Sequence, residues 1–168
     1  MNNYLSIITL NVNGLNAPIK RHRMAEWIRK HDPHICCLQE THLRTEDLHR
    51  LKVKGWNQIL QANGQDKKTG VAILISDKIK LKRRDIKRNT KGHFITLKGR
   101  IHQEVINIVN IYVPNIGAPK YIKKILEDLK KDIDSSTIIV GDVNTPLSKW
   151  TDIPNKISTR ILCYLTIP

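Results

Sequence analysis

The chain has 168 residues, 29 Lys plus Arg against 15 Asp plus Glu, a formal charge of +14, and 40% hydrophobic residues with a single Phe. That length suits one domain with a buried core, the composition excludes a disordered chain, and apolar runs as short as Val71 to Ile75 exclude a membrane-spanning segment. The charge points to an anionic partner, nucleic acid or a phosphorylated ligand ahead of a membrane surface.

The first ten residues lack the basic start, long apolar middle and small-residue cleavage site of a secretion signal. Cys36, Cys37 and Cys163 are odd in number and two are adjacent, so they read as reduced thiols in an intracellular protein that is not secreted. Leu5 to Leu10 is a buried strand in this reading. Asn16-Ala-Pro18 then starts a helix over Ile19 to Lys30, with Met24, Trp27 and Ile28 on one face. Ile35 to Gln39 is a second strand. Trp56–Gln61, Val71–Ile75, Ile79–Ile86, Phe94–Ile101 and Val105–Val113 follow as short strands between Asn-Gly, Lys-Thr-Gly and Lys-Gly-His turns, the pattern of antiparallel hairpins. Pro119 opens a second helix whose apolar positions Ile122, Ile125, Leu126, Leu129 and Ile133 keep the 3.6-residue period, with Lys130 and Lys131 favouring its C-terminal end. Thr137 to Val140 is a further strand. The order predicts a mixed-sheet α/β domain with helices outside the sheets. Trp150 to Pro168 has no clear period.

Four apolar strands run into polar turns: Leu10 into Asn11-Val-Asn13-Gly14, Leu38 into Gln39-Glu40-Thr-His42, Ile111 into Tyr112-Val-Pro-Asn115, and Val140 into Gly141-Asp142-Val-Asn144. Ligands tend to sit beyond the carboxyl ends of strands in α/β sheets, so these groups can converge on one site, although the same residues also end strands simply by making turns. Glu40 stands apart, because a carboxylate directly after Ile-Cys-Cys-Leu-Gln needs a reason to end a core strand. A hard divalent cation takes one or two carboxylates plus phosphate oxygens, which Glu40 with Asn11 nearby can satisfy. Phosphodiester hydrolysis also needs a positioned water and donors for phosphoryl oxygens; Asp142 suits the first, and Asn144, Asn11 and Tyr112 the second. The seven histidines, at 22, 31, 34, 42, 49, 93 and 102, read as mostly solvated.

Thr9-Leu-Asn-Val-Asn-Gly-Leu15, Cys37-Leu-Gln-Glu-Thr-His42, Asn110-Ile-Tyr-Val-Pro-Asn115 and Gly141-Asp-Val-Asn-Thr-Pro146, in this order, resemble the endonuclease/exonuclease/phosphatase superfamily. Pro18-Ile-Lys-Arg-His-Arg23, Ile116-Gly-Ala-Pro119 and Leu147-Ser148 bring it nearest to the N-terminal endonuclease domain of LINE-one (non-LTR) retrotransposon second-reading-frame proteins. The resemblance spans residues 4–148 and implies a four-layered α/β sandwich that nicks DNA with Mg²⁺ or Mn²⁺. Glu40 matches the family's metal-binding carboxylate, Asn11 the Asn beside it, and Tyr112 the Tyr on the scissile phosphate. Asp142 matches the catalytic or water-orienting Asp, and Asn144 its phosphate-contacting partner. Asn115 lies in the matching loop. The resemblance further implies DNA held by its phosphate backbone, a nuclear setting, and covalent continuity with a reverse transcriptase in full-length relatives; it leaves the oligomeric state open.

Family members continue to a terminal Ser-Asp-His, for which residues 149–168 offer no match. Two segments are therefore expected: 1–148, the N-terminal part of the family domain, and 149–168, a divergent tail from a frameshift or read-through. The second sheet is expected to be incomplete, the inner face of the first to lose cover, and nicking to be weak or absent. A nucleic-acid-binding remnant without catalysis and a phosphatase of the same superfamily are the alternatives. Lys78, Lys80 and Lys82 alternate with Ile79 and Leu81. Placed on a strand with Arg83 and Arg84 following, they make either a phosphate-backbone track or a lysine-guarded sheet edge.

Overall fold

The computed structural model describes residues 5–65, 67–113, 118–143, 160–162 and 165–166, with the backbone alone at 118, 119, 121, 122, 142, 143 and after 159. Strands β1 (Ile7–Asn11), β2 (Ile35–Gln39), β3 (Gln58–Ala62), β4 (Val71–Ile75) and β10 (Leu165–Thr166) form one sheet in the order β10-β1-β2-β4-β3. Strands β5 (Leu81–Arg88), β6 (Phe94–Ile101), β7 (Glu104–Val113), β8 (Thr137–Val143) and β9 (Arg160–Leu162) form the other, in chain order. Helix α1 (Pro18–His31) lies on the first sheet and α2 (Ala118–Leu129) on the second.

Period-two alternation builds the four layers. In β2 and β4, Cys36, Leu38, Ala72 and Leu74 face α1, where they meet Met24, Ala25 and Ile28. Ile35, Cys37, Ile73 and Ile75 face the other way and pack between the sheets against Leu97, Ile106 and Ile108. Val109, Ile111 and Ile139 turn outward to Ile125 and Leu129 of α2. Burial of Cys36 pushes its thiol up to about 12, and that of Cys37 also rises, so both are inert packing groups.

The inner face of the first sheet, expected to lose its cover, is instead covered by the second sheet's apolar side chains. Pro18 takes the first helical position, where its missing N–H costs nothing. Asp32, left-handed at φ 48°, ends α1 by donating its N–H to Ile28 O. The hairpin expectation holds for β3–β4, β5–β6 and β6–β7, while β4 and β5 belong to different sheets. Helix α2 ends at Leu129, so Lys130 and Lys131 follow it in the turn. The short 3-10 helix Thr45–Arg50, with one apolar residue in six, has no sequence period to announce it.

The strand expected from Ile79 begins at Leu81. Lys78 and Ile79 are held in a turn by Ser76, whose Oγ accepts from Lys78 N and whose carbonyl accepts from Ile79 N. Lys78 therefore does not alternate with Lys82 on a strand, and a register shift between Arg83 and Asp85 breaks the pattern again. What remains is an exposed, basic strand at the edge of its sheet, the lysine-guarded arrangement.

Candidate active site

Parallel pairing of β1 with β2 and of β7 with β8 brings Asn11, Glu40, Tyr112 and Asp142 to one end of the sandwich. Asn11 stands opposite Gln39, one residue before Glu40, and Tyr112 stands opposite Asp142. Only the backbone of Asp142 is described, and Asn115 and Asn144 lie outside the described residues.

Beyond Asn11 and Gln39 the two strands stay laced together while leaving regular geometry. Val12, Gly14 and Leu15 donate to the carbonyls of Gln39, Glu40 and Thr41, and Thr41 and His42 donate to Gly70 and Thr69 on the opposite side. Asn13, Glu40 and His42 all take left-handed backbone, at φ 46°, 54° and 57°, which costs side-chain-bearing residues about 1–3 kcal/mol each. The surrounding hydrogen bonds fix that conformation. It leaves the Glu40 carboxylate only partly exposed, with Asn11 Nδ2 donating to one oxygen at 2.5 Å and His42 Nε2 at 3.4 Å from the other. Asn11 Oδ1 accepts from Asn13 N. Among the described residues no Lys or Arg lies within ion-pair distance of Glu40.

Parity places Thr9, Gln39, Asn110 and Tyr112 on the faces that meet between the sheets. Two of these are amides in an otherwise apolar layer, so each must find partners. Gln39 Nε2 donates to Thr9 Oγ1 at 2.9 Å and to Asn110 Oδ1 at 2.8 Å, and Asn110 Nδ2 donates to the carbonyls of Leu38 and Ala72. This network crosses from β7 to β2 and β4. It ties the sheet carrying Glu40 to the sheet carrying Tyr112, one and two residues from those groups. Tyr112 is itself held by His93, through Tyr112 N to His93 O at 2.7 Å and a 3.3 Å contact from His93 Nδ1 to Tyr112 O. His93 is buried, and desolvation lowers its pKa from the ordinary value. Gly141, at φ 135°, lets β8 close on β7, because a Cβ there would stand 1.9 Å from Ile111 O.

The expectation of mostly solvated histidines holds for His22, His31, His49 and His102, whereas His34 and His42 are half-buried and His93 is buried. The signal that finds Gln39 and Asn110 is parity, since each falls on an inward position of an apolar run. His42 has a weaker one, two residues from Glu40 on the same strand extension. Lys78, Lys80, Lys82, Arg83 and Arg84 are not brought to this end. Leu81 pairs with Ile101, which pairs with Glu104, so these residues sit about 20–27 Å from Tyr112 along the strands. Lys78 also pairs with Asp32.

A family model described as the Endonuclease/Exonuclease/phosphatase family matches residues 8–162. Among curated proteins, the Transposon TX1 uncharacterized 149 kDa protein of Xenopus laevis is 26% identical over 158 residues, which is 90% of this chain and 12% of that protein. Truncated Caenorhabditis elegans TDP2 superposes with a TM-score of 0.66 at 17% identity, over 90% of this chain and 66% of that one. Danio rerio TDP2 complexed with a single-strand DNA product gives 0.66 at 16%, over 94% and 67%. An AP endonuclease from Archaeoglobus fulgidus gives 0.61 at 22%, over 84% and 58%. The chain thus spans about an eighth of the transposon protein and roughly 58–67% of these solved chains.

Proposed function

The chain belongs to the endonuclease/exonuclease/phosphatase family, and we propose from that premise that it hydrolyses phosphodiester bonds of DNA where β1, β2, β7 and β8 end. The observation that carries this reading is the Glu40 carboxylate, held by Asn11 and unmatched by any Lys or Arg among the described residues. Its oxygens fit a hard divalent cation, Mg²⁺ or Mn²⁺. When bound, such an ion neutralises phosphate oxygens and supplies Lewis acidity at phosphorus.

The chain's own residues do the rest. Asn11 fixes the rotamer of Glu40 through its amide. Tyr112, steadied by His93, offers its hydroxyl to a phosphate oxygen. Asp142, opposite Tyr112 in register, orients the attacking water or serves the leaving oxygen, and Asn144 and Asn115 add donors to the phosphate. The Gln39–Asn110 network keeps the two halves at a constant separation, which catalysis by positioning requires.

Duplex DNA is the proposed substrate, held by its backbone. Thr69 Oγ1 bonds Lys91 O at 2.8 Å, joining two loops at this end that carry exposed Lys67, Lys68 and Lys91. These are better placed for phosphate contact than Lys82, Arg83 and Arg84. Likeness to a transposon protein supports a LINE-type nicking role; a nuclear setting and, in full-length relatives, continuity with a reverse transcriptase belong to the same proposal. No helix among the described residues is long and apolar enough to cross a membrane. The +14 charge also favours a second reading, DNA binding without catalysis.

Supercoiled plasmid distinguishes the two. Cation-dependent nicking that chelator stops and Glu40→Ala abolishes is expected. Salt-sensitive binding with equal nicking by wild type and Glu40→Ala supports the binding-only reading.

A further inference from the structure

We infer that His42 gives the cation site a nitrogen donor, making it a mixed oxygen and nitrogen centre; this rests on the reading of Glu40 as the cation-binding carboxylate. The His42 Nε2 to Glu40 Oε1 separation of 3.4 Å is longer than the ordinary 2.7–3.2 Å of an N–H···O bond. Two adjacent donors on one octahedral divalent ion stand about 3.0 Å apart, so a movement of a few tenths of an ångström brings this pair to that spacing.

The ring is held where it is by more than this contact. His42 N donates to Thr69 O at 2.9 Å, and His42 O accepts from Asn16 Nδ2 at 3.0 Å. Gly14, at φ 91°, clears the space the ring occupies, since a Cβ there would stand 2.8 Å from His42 Nδ1. A left-handed non-glycine residue is thus fixed from both sides with its imidazole turned toward a carboxylate. Asn11 is arranged differently. Its nitrogen faces Glu40 and its oxygen accepts from Asn13, so it steadies the carboxylate, and His42 adds the further donor. Both side chains retain about a fifth of their exposure, which leaves the pair open to an ion from water. An imidazole donor shifts preference from Mg²⁺ toward Mn²⁺ and later first-row ions.

Pulsed electron paramagnetic resonance of Mn²⁺ bound to the full chain tests this. The expected result is a nitrogen coupling that changes from ¹⁴N to ¹⁵N on histidine labelling. It should vanish in His42→Gln, which still binds Mn²⁺, and persist in His93→Gln, which replaces the buried histidine beside Tyr112. Mn²⁺ binding that depends on Glu40 without any histidine coupling overturns the role of His42 alone, as does coupling that survives in His42→Gln. Mn²⁺ binding unchanged in Glu40→Gln overturns both this inference and the reading of Glu40 beneath it. Should His42→Gln fail to fold, the labelled wild-type chain and His93→Gln still decide the matter: no coupling in the former, or its loss in the latter, rejects His42.

Discussion

The two ends of the sandwich use left-handed backbone for different purposes. At the end remote from Tyr112, Asp32 caps α1 and His102 turns the β6–β7 hairpin, places where local geometry demands a positive φ. At the other end Asn13, Glu40 and His42 adopt it within strand extensions, where no reversal of the chain requires it. Charges differ in the same sense. Asp32 is matched by Lys78 in solvent, whereas Glu40 faces an amide and an imidazole. Among the described residues with left-handed backbone, Glu40 is the carboxylate without a Lys or Arg partner, whereas Asp32 has Lys78, and that combination separates a site from a set of turns.

Glycine substitutions should widen this contrast most. Gly141→Ala forces a methyl to within 1.9 Å of a backbone oxygen and is expected to cost roughly 4 kcal/mol or more, read by chemical denaturation. Gly55→Ala at the remote end meets nothing within 4 Å and should cost only about 1 kcal/mol from its positive φ. Comparable losses would erase the distinction. Amides come next. Asn110→Leu leaves Gln39 Nε2 and the Leu38 and Ala72 carbonyls short of partners and should lose about 2–4 kcal/mol. Asn57→Ala, which breaks an exposed bond to Asp77, should stay within about 0.5 kcal/mol.

Charge gives a smaller, directional effect. Replacing Lys67, Lys68 and Lys91 by Ser should flatten the dependence of DNA affinity on salt by roughly one logarithmic unit of slope per contact, while Lys82→Ser with Arg83→Ser should leave it nearly unchanged. The reverse order would move the DNA path to the β5 edge. The smallest effect concerns pH. The folded-state pKa of His93 lies below its unfolded value of about 6.5, so the unfolded chain binds more protons as pH falls past that value. Its contribution is full above pH 6.5 and declines on acidification through that value. Denaturation midpoints at pH 7.5 and 5.5 should differ less in His93→Gln than in wild type.

Much of the fold is legible in the sequence because buried strands announce themselves. β2, β4 and β6 occupy the expected spans, each an apolar run stopped by a turn residue. The 78–82 segment misleads because the alternation of Lys with Ile79 and Leu81 mimics a strand, and the Ser76 turn that overrides it is a local hydrogen-bond choice with no periodic signature. At the site, the family motifs place Asn11, Glu40 and Tyr112 at strand ends sharing one end of the sandwich. They assign no role to His42, which ends one of them, and do not reach His93, because whether a histidine is solvated depends on what folds over it. His42 lies against Gly14, and His93 lies under the Tyr112 backbone.

Nicking of supercoiled plasmid, with wild type, Glu40→Ala and the Lys82→Ser/Arg83→Ser pair measured side by side in Mg²⁺ and in chelator, tests the central claim most directly. Cation-dependent nicking by wild type and the β5 variant, with the Glu40 variant at the chelator background, is the predicted result. Equal nicking by wild type and Glu40→Ala would contradict it.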